Sequence, residues 1–319
     1  MDRLNSISVA RLLAMISIII CHFFQYYNNE WAYWFNVGVQ IFFMISGFLY
    51  GNKEIVDPIS WIKKQFIKIC VPYYVFLLFS IILYAAFVPQ CLTISSVVRS
   101  IFTIGPIHGL GHLWFVSNIL VCYLITPYLS CIADYLNRFT CSKSMKIFLF
   151  LFVVYNIISI LIHSHFRPGH ISCYIIGYFS AVYINKRKDF KLNQVFFATL
   201  LPTFLTVGGY CYLKYYKEFP FVGYASHLTD FSHLFLGYSL TLLMMIVFRN
   251  VNRFSLLDFS DKYSYDIYIV HQLLILSPFT LLTVTDSISL NILITAVTII
   301  ISGWILYIVC KPIHRVIIG

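Results

Sequence analysis

Residues 7–27 read ISVARLLAMISIIICHFFQYY. Apart from Arg11, His22 and Gln25 the stretch is apolar, aromatic or small. A helix needs about 20 such residues to cross roughly 30 Å of hydrocarbon. Comparable runs follow at 32–51, 66–88, 112–132, 146–163, 170–185, 193–213, 230–248, 264–284 and 288–310. This pattern predicts an all-α polytopic membrane protein, a bundle of about ten transmembrane helices forming one domain over 1–319. Only the connections 89–111 and 214–229 are long enough to fold over a site.

Composition points the same way. Of 319 residues, 60% are hydrophobic, 18% aromatic and 11% charged, with a mean hydropathy of +0.83. A soluble domain carries about 25% charged residues because its surface meets water, so a soluble enzyme is excluded. The nine cysteines include no CxxC pair, and they read as small apolar side chains in helix packing. The first run is too long for a signal-peptide core and no small-residue cleavage site follows, so it is expected to be a span itself.

Lys and Arg set the orientation. With the N-terminus inside, eighteen of the 22 basic residues fall on the cytoplasmic side and only Arg99, Arg167, Lys214 and Lys217 outside. That bias predicts both termini in the cytoplasm. It also accounts for most of the net charge of +10 without any nucleic-acid partner.

Within the first run, Arg11 and His22 are eleven positions apart. At 100° per residue they share one helix face, about 20° from exact overlap and about 16 Å apart along the axis. Arg11 then lies near the cytoplasmic surface and His22 past the bilayer middle. An ionisable group that deep normally faces the protein interior or a watery cavity. An arginine can grip a phosphate through two parallel hydrogen bonds, and a neutral imidazole can take a proton from a hydroxyl. A donor that reaches from one to the other needs a thin arm of about 15 Å, which is the shape of acyl-coenzyme A. Elsewhere, Tyr265 and His271 are placed in the inner half of the ninth span, about 240° apart around it, so they cannot both point at one atom. His163, His165 and His170 read as a solvated outer loop. His108 and His112 lack a third ligand, and no metal site is expected.

Together these segments resemble the acyltransferase-3 family of integral-membrane acyltransferases, which move acyl groups, commonly acetyl, onto sugars of cell-surface polysaccharides. Arg11 and His22 match the family's arginine, ten residues, histidine pattern. GVQIFFMISGFLYG (38–51) is similar to its phenylalanine-rich stretch ending in Ser-Gly-Phe. WIKKQFIKICVPYY (61–74), HLWF (112–115), YSYDIYIVHQ (263–272) and Lys311–Pro312 resemble further family segments. Two places depart from the pattern. Ser8 and Asn5 stand where members often have an acidic residue, and Lys63, Lys64, Gln65 and Lys68 stand where arginines are usual.

The resemblance implies transfer of an acyl group, acetyl by expectation, from cytoplasmic acetyl-coenzyme A to a hydroxyl of a polysaccharide or lipid-linked glycan. His22 would be the general base, and Arg11, Lys64 and Lys68 would hold the donor's phosphates. Ser46 and Gly47 either line the acyl channel or permit close helix packing. His112 and Trp114 either anchor the outer interface or join Tyr265 and His271 around the acceptor. The implied location is a bacterial inner membrane. An alternative reading is a transporter or flippase for a lipid-linked sugar, with the intramembrane histidines as proton relays.

Overall fold

A computed structural model describes residues 5–161, 168–216 and 225–318. Among these residues the regular structure is helical throughout. In chain order the helices are α1 (Asn5–Tyr26), α2 (Ala32–Phe35), α3 (Val37–Gly51), α4 (Pro58–Phe87), α5 (Ile94–Ile101), α6 (Trp114–Leu136), α7 (Cys141–Leu161), α8 (Pro168–Ala181), α9 (Leu192–Tyr216), α10 (Ala225–Val247), α11 (Ser255–Ile275) and α12 (Ile288–Ile318). Eight segments are long and apolar enough to cross a membrane, with α2 and α3 counted as one. The chain is therefore a multi-pass membrane protein.

The other two expected spans differ from expectation for visible reasons. α8 has 14 residues and continues as one π-helical turn, Val182–Lys186. α11 starts at Ser255, nine residues before the expected 264, and carries Asp258, Asp261, Lys262 and Asp266, which mask it as an apolar run. It stops at Ile275 rather than 284, because Pro278 disfavours helical backbone at the residue before it and supplies no N–H. α4 begins eight residues earlier than expected. Asp57 caps it by accepting hydrogen bonds from the backbone N–H groups of Ile59 and Ser60, and Pro58 opens the first turn. Hydrogen bonds from Ser60, with that from Ile59, hold the exposed Asp57 carboxyl below its ordinary range. The cap is therefore intact above the usual carboxylate pKa and weakens as the pH falls through the lowered one.

The chain falls into two compact units. The first comprises Met1–Ser17, Asn36–Val56 and Leu124–Leu257. Its centre is α3, which packs on α8 and α10, while α10 also packs on α9. Small residues set the closest approach: a Cβ at Gly47 would overlap the Tyr174 carbonyl, one at Gly51 the Tyr178 carbonyl, and one at Gly177 the Met44 carbonyl. Helices lacking a hydrophobic drive in lipid associate through this kind of contact. Ile7, Ala10 and Ala14 of α1 join Val37, Ile41, Ile45 and Phe48 of α3 in the unit's core. Buried hydroxyl pairs link further helices, Thr126 with Tyr174 at 2.6 Å and Ser180 with Tyr238 at 2.5 Å. Arg187 closes the end where α6 leads into α7. It donates to the carbonyls of Leu136 and Phe139, to Ser144 Oγ and to Asp189.

His170 corrects the sequence reading. It is buried in the first turn of α8, with its Nε2 3.4 Å from Gln40 Nε2 of α3, so it is not part of a solvated loop. His163 and His165 lie outside the described residues, as do 217–224 of the expected connection 214–229.

These crossings give a first prediction. Gly177→Ala forces a methyl group against the Met44 carbonyl, an overpacking of the kind that costs about 1–3 kcal/mol. The control is Gly208 on α9, where an added Cβ would meet nothing within 4 Å. Thermal unfolding in detergent should show a lower midpoint for Gly177→Ala and no loss for Gly208→Ala. Equal midpoints would remove the close-packing account.

The second unit comprises Ile18–Phe35, Asp57–Tyr123 and Asp258–Gly319. Here α4 packs on α12. α11 approaches α12 at Gly303, where a Cβ would lie 2.6 Å from Ile267 Cγ1. The expected long connection 89–111 contains α5, which opens on a reciprocal Thr93/Ser96 capping box. Three tyrosines of α4 fasten this segment: Tyr73 donates to the Ser100 carbonyl (2.5 Å), Tyr74 to Ile101 (2.9 Å) and Tyr84 to His108 (2.6 Å). Gly109 turns it with φ +79°, and a side chain there would also strike Ser277. The chain is thereby delivered to Gly111–Leu113, a short 3-10 turn that leads into α6.

Candidate active site

Three histidines from distant parts of the sequence meet in the second unit. The ring centres of His22 (α1) and His271 (α11) are 4.8 Å apart, and those of His271 and His112, in the turn before α6, are also 4.8 Å apart. His112 and His271 are fully buried, whereas His22 is half-buried. His271, expected in the first half of a span over 264–284, instead lies toward the C-terminal end of α11 because that helix starts early. His271 sits one turn from that helix's C-terminal end, as His22 sits one turn from the end of α1.

α11 builds most of the surroundings. Tyr268, His271 and Gln272 are three and four residues apart and so share a face. His112 stands where a helix begins and backbone N–H groups lack intrahelical partners. Gln272 Oε1 accepts from the His112 backbone N–H at 2.5 Å, and the Tyr268 hydroxyl donates to the His112 carbonyl at 2.8 Å. The His112 ring places Nδ1 2.5 Å from Gln272 Oε1 and Nε2 2.8 Å from the Ile269 carbonyl. Both nitrogens thus face oxygens. A neutral ring can donate to only one of them and an imidazolium to both.

The other two rings are fixed differently. His271 Nδ1 lies 2.5 Å from the Tyr268 carbonyl. A carbonyl only accepts, so Nδ1 carries the hydrogen and Nε2 is a bare lone pair. That Nε2 is buried without a hydrogen-bond partner among the described residues. His22 Nδ1 lies 2.6 Å from Gln25 Oε1, one turn on in α1. This assigns the Nδ1–H tautomer and leaves Nε2 as the basic nitrogen.

The remaining predicted residues have separate surroundings. Tyr265 turns its hydroxyl to the Ile69 carbonyl of α4 at 2.9 Å and takes no part in the histidine cluster, as its 240° offset from His271 requires. Trp114 is half-buried immediately after His112, with its ring 6.4 Å from that of Phe115. Lys64 and Lys68 are exposed one turn apart near the start of α4. In the first unit, Arg11 is half-buried on α1, Ser46 is half-buried on α3, and Gly47 lies at the α3–α8 crossing. Arg253 donates to Ser8 Oγ at 3.3 Å. This brings a second guanidinium to the α1 face that carries Arg11, three residues from Ser8.

Sequence reasoning missed Gln25, Tyr268, Gln272, Arg253 and Asp266. Gln25 and Tyr268 follow or precede a predicted histidine by three residues, a spacing that could have flagged them. Asp266 is 5% exposed within α11, and its Oδ1 has no hydrogen-bond partner among the described residues. A carboxyl group inside an expected span was itself the missed signal. Among the described residues no three His, Cys, Asp or Glu side chains gather as metal ligands.

The sequence profile of an acyltransferase domain matches residues 4–307, nearly the whole chain and every residue of this cluster. No curated protein and no solved structure matches. A match of that extent fixes the kinship that the quoted motifs had implied, and the chain belongs to the acyltransferase-3 family of membrane acyltransferases.

Proposed function

We propose that the protein transfers an acyl group, acetyl first of all, from acetyl-coenzyme A at the cytoplasmic face to a hydroxyl of a cell-surface polysaccharide or lipid-linked sugar. The observation that carries this reading is the half-buried His22, whose Nδ1–H is engaged by Gln25 so that Nε2 is the free base. In the reaction Nε2 takes the proton of the acceptor hydroxyl as its oxygen attacks the thioester carbonyl. The tetrahedral intermediate collapses by breaking the C–S bond, and the departing thiolate receives the proton from His22 as a thiol. One C–O bond forms, one C–S bond breaks, and His22 ends as it began.

Arg11 is assigned to the donor's phosphates from its spacing on α1, with Lys64 and Lys68 adding exposed positive charge. Ser46 has a side chain to offer the acyl arm. Trp114 supplies an aromatic face suited to a sugar ring. His112 keeps no ring nitrogen for a sugar and serves by supporting the cluster.

Membranes containing the protein, incubated with radiolabelled acetyl-coenzyme A and the native glycan, should place label in the glycan. Wild-type membranes that leave the glycan unlabelled with acetyl- and longer acyl-coenzyme A alike would overturn the reading. Both termini are expected inside, following the distribution of basic residues. In a background without reactive native cysteines, an impermeant thiol reagent added to intact cells should label Ser226→Cys and not Asn252→Cys. The opposite pattern would reverse the topology.

A further inference from the structure

We propose that His271 is the proton partner of His22, a positioning residue whose Nε2 accepts a hydrogen bond from protonated His22 between removal of the proton from the acceptor oxygen and its delivery to the donor sulfur. The inference rests on the acyl-transfer reading above and adds a residue to its proton route.

A bare, fully buried nitrogen is uncommon, because a lone pair taken out of water keeps its desolvation cost until a donor reaches it. His271 Nε2 is in that position, and its tautomer cannot change to relieve it while Nδ1–H is held by the Tyr268 carbonyl. The titratable groups around the ring are His22 from α1, His112 from the turn before α6, and Tyr268 on its own helix. Tyr268 gives its hydroxyl hydrogen to the His112 carbonyl. Both ring nitrogens of His112 are turned to oxygens. His22 is therefore the neighbour that can bring a hydrogen to Nε2 of His271.

In the resting state His22 has none to bring, since its one N–H faces Gln25. Two lone pairs then share the cluster and no bond forms between the rings. Once His22 takes the acceptor's proton it carries a second N–H, and a small swing of this half-buried ring, whose centre is 4.8 Å from that of His271, sets that N–H against it. The proton moves from oxygen to His22 Nε2, rests there hydrogen-bonded to His271 Nε2, and leaves to sulfur as the thiolate departs. No other bond to hydrogen changes. The interaction exists only in the charged form of the base, so it lowers the barrier from the bound complex and leaves substrate binding alone.

The test compares His271→Phe, which keeps ring bulk and removes the acceptor, with His271→Gln, which returns an acceptor oxygen. His271→Phe should lower kcat by about 10²-fold, the low end for a positioned proton-transfer group, with both KM values unchanged. His271→Gln should recover most of that loss. A wild-type kcat in His271→Phe overturns the proposal. So does an equal loss in both variants accompanied by an equal fall in thermal stability, which marks a packing role. Should His271→Phe fail to insert, His271→Asn takes its place, keeping a donor for the Tyr268 carbonyl while falling short of His22. Acyl transfer absent from the wild type would instead sink the proposed function itself, so the two failures are distinguishable.

Discussion

His22→Ala is expected to abolish acyl transfer while the protein still inserts and folds. The loss should fall on kcat and amount to about 10²–10⁴-fold, the usual worth of a positioned general base. The chemistry concentrates on this ring for a structural reason. Of the three clustered histidines, His112 has both nitrogens occupied and His271 is fully buried, whereas His22 is only half-buried and has a free Nε2. Fold effects should be small, because the His22 ring hydrogen-bonds to Gln25 of its own helix and ties no second helix to α1 by that bond. His22→Gln tests whether a polar group of similar reach can substitute. It should not, since an amide is no base near neutral pH. A correctly inserted His22→Ala protein that turns over within a fewfold of wild type would remove the catalytic role.

The helical class and most spans were legible because lipid leaves the backbone few solutions. Runs of about 20 apolar residues must close their own hydrogen bonds, and helices do so. Legibility failed where polarity and span coincide. α11 carries three aspartates and a lysine between Ser255 and Ile275, so hydropathy alone misplaced its start. That error moved His271 to the wrong end of its helix. The start of α4 was readable, since Asp57–Pro58 is a capping residue followed by a proline that suits the first helical position, but the apolar run drew the boundary later. The cluster itself was beyond the sequence. His22, His112 and His271 come from separate elements, and no spacing rule relates positions so far apart in the chain. Arg11 and His22 were readable together only because one helix carries both. Gly47 had two open readings in sequence, and the Tyr174 carbonyl beside it supplies the packing one.

Arg11→Lys is expected to impair the enzyme more than the retained charge would imply. A guanidinium grips a phosphate through two parallel hydrogen bonds in a fixed plane, and an ammonium offers only a point charge. Losing one charge-assisted hydrogen bond costs about 1.5–3 kcal/mol, so the apparent KM for acetyl-coenzyme A should rise by roughly 10–100-fold, while the acceptor's KM stays put. Arg253, hydrogen-bonded to Ser8 on the same face of α1, keeps the local charge positive and should prevent complete loss. Lys64→Ala and Lys68→Ala should move the donor KM in the same direction by less, because exposed charges at a membrane face are screened by salt. Their effects should shrink further as ionic strength rises. The competing account makes Arg11 an interfacial anchor whose stem lies along apolar surface with its head in water. An anchor's loss reduces the number of inserted molecules and leaves each one's kinetics intact. Donor KM measured per inserted molecule separates the two, and an unchanged value in Arg11→Lys would take Arg11 out of the donor site.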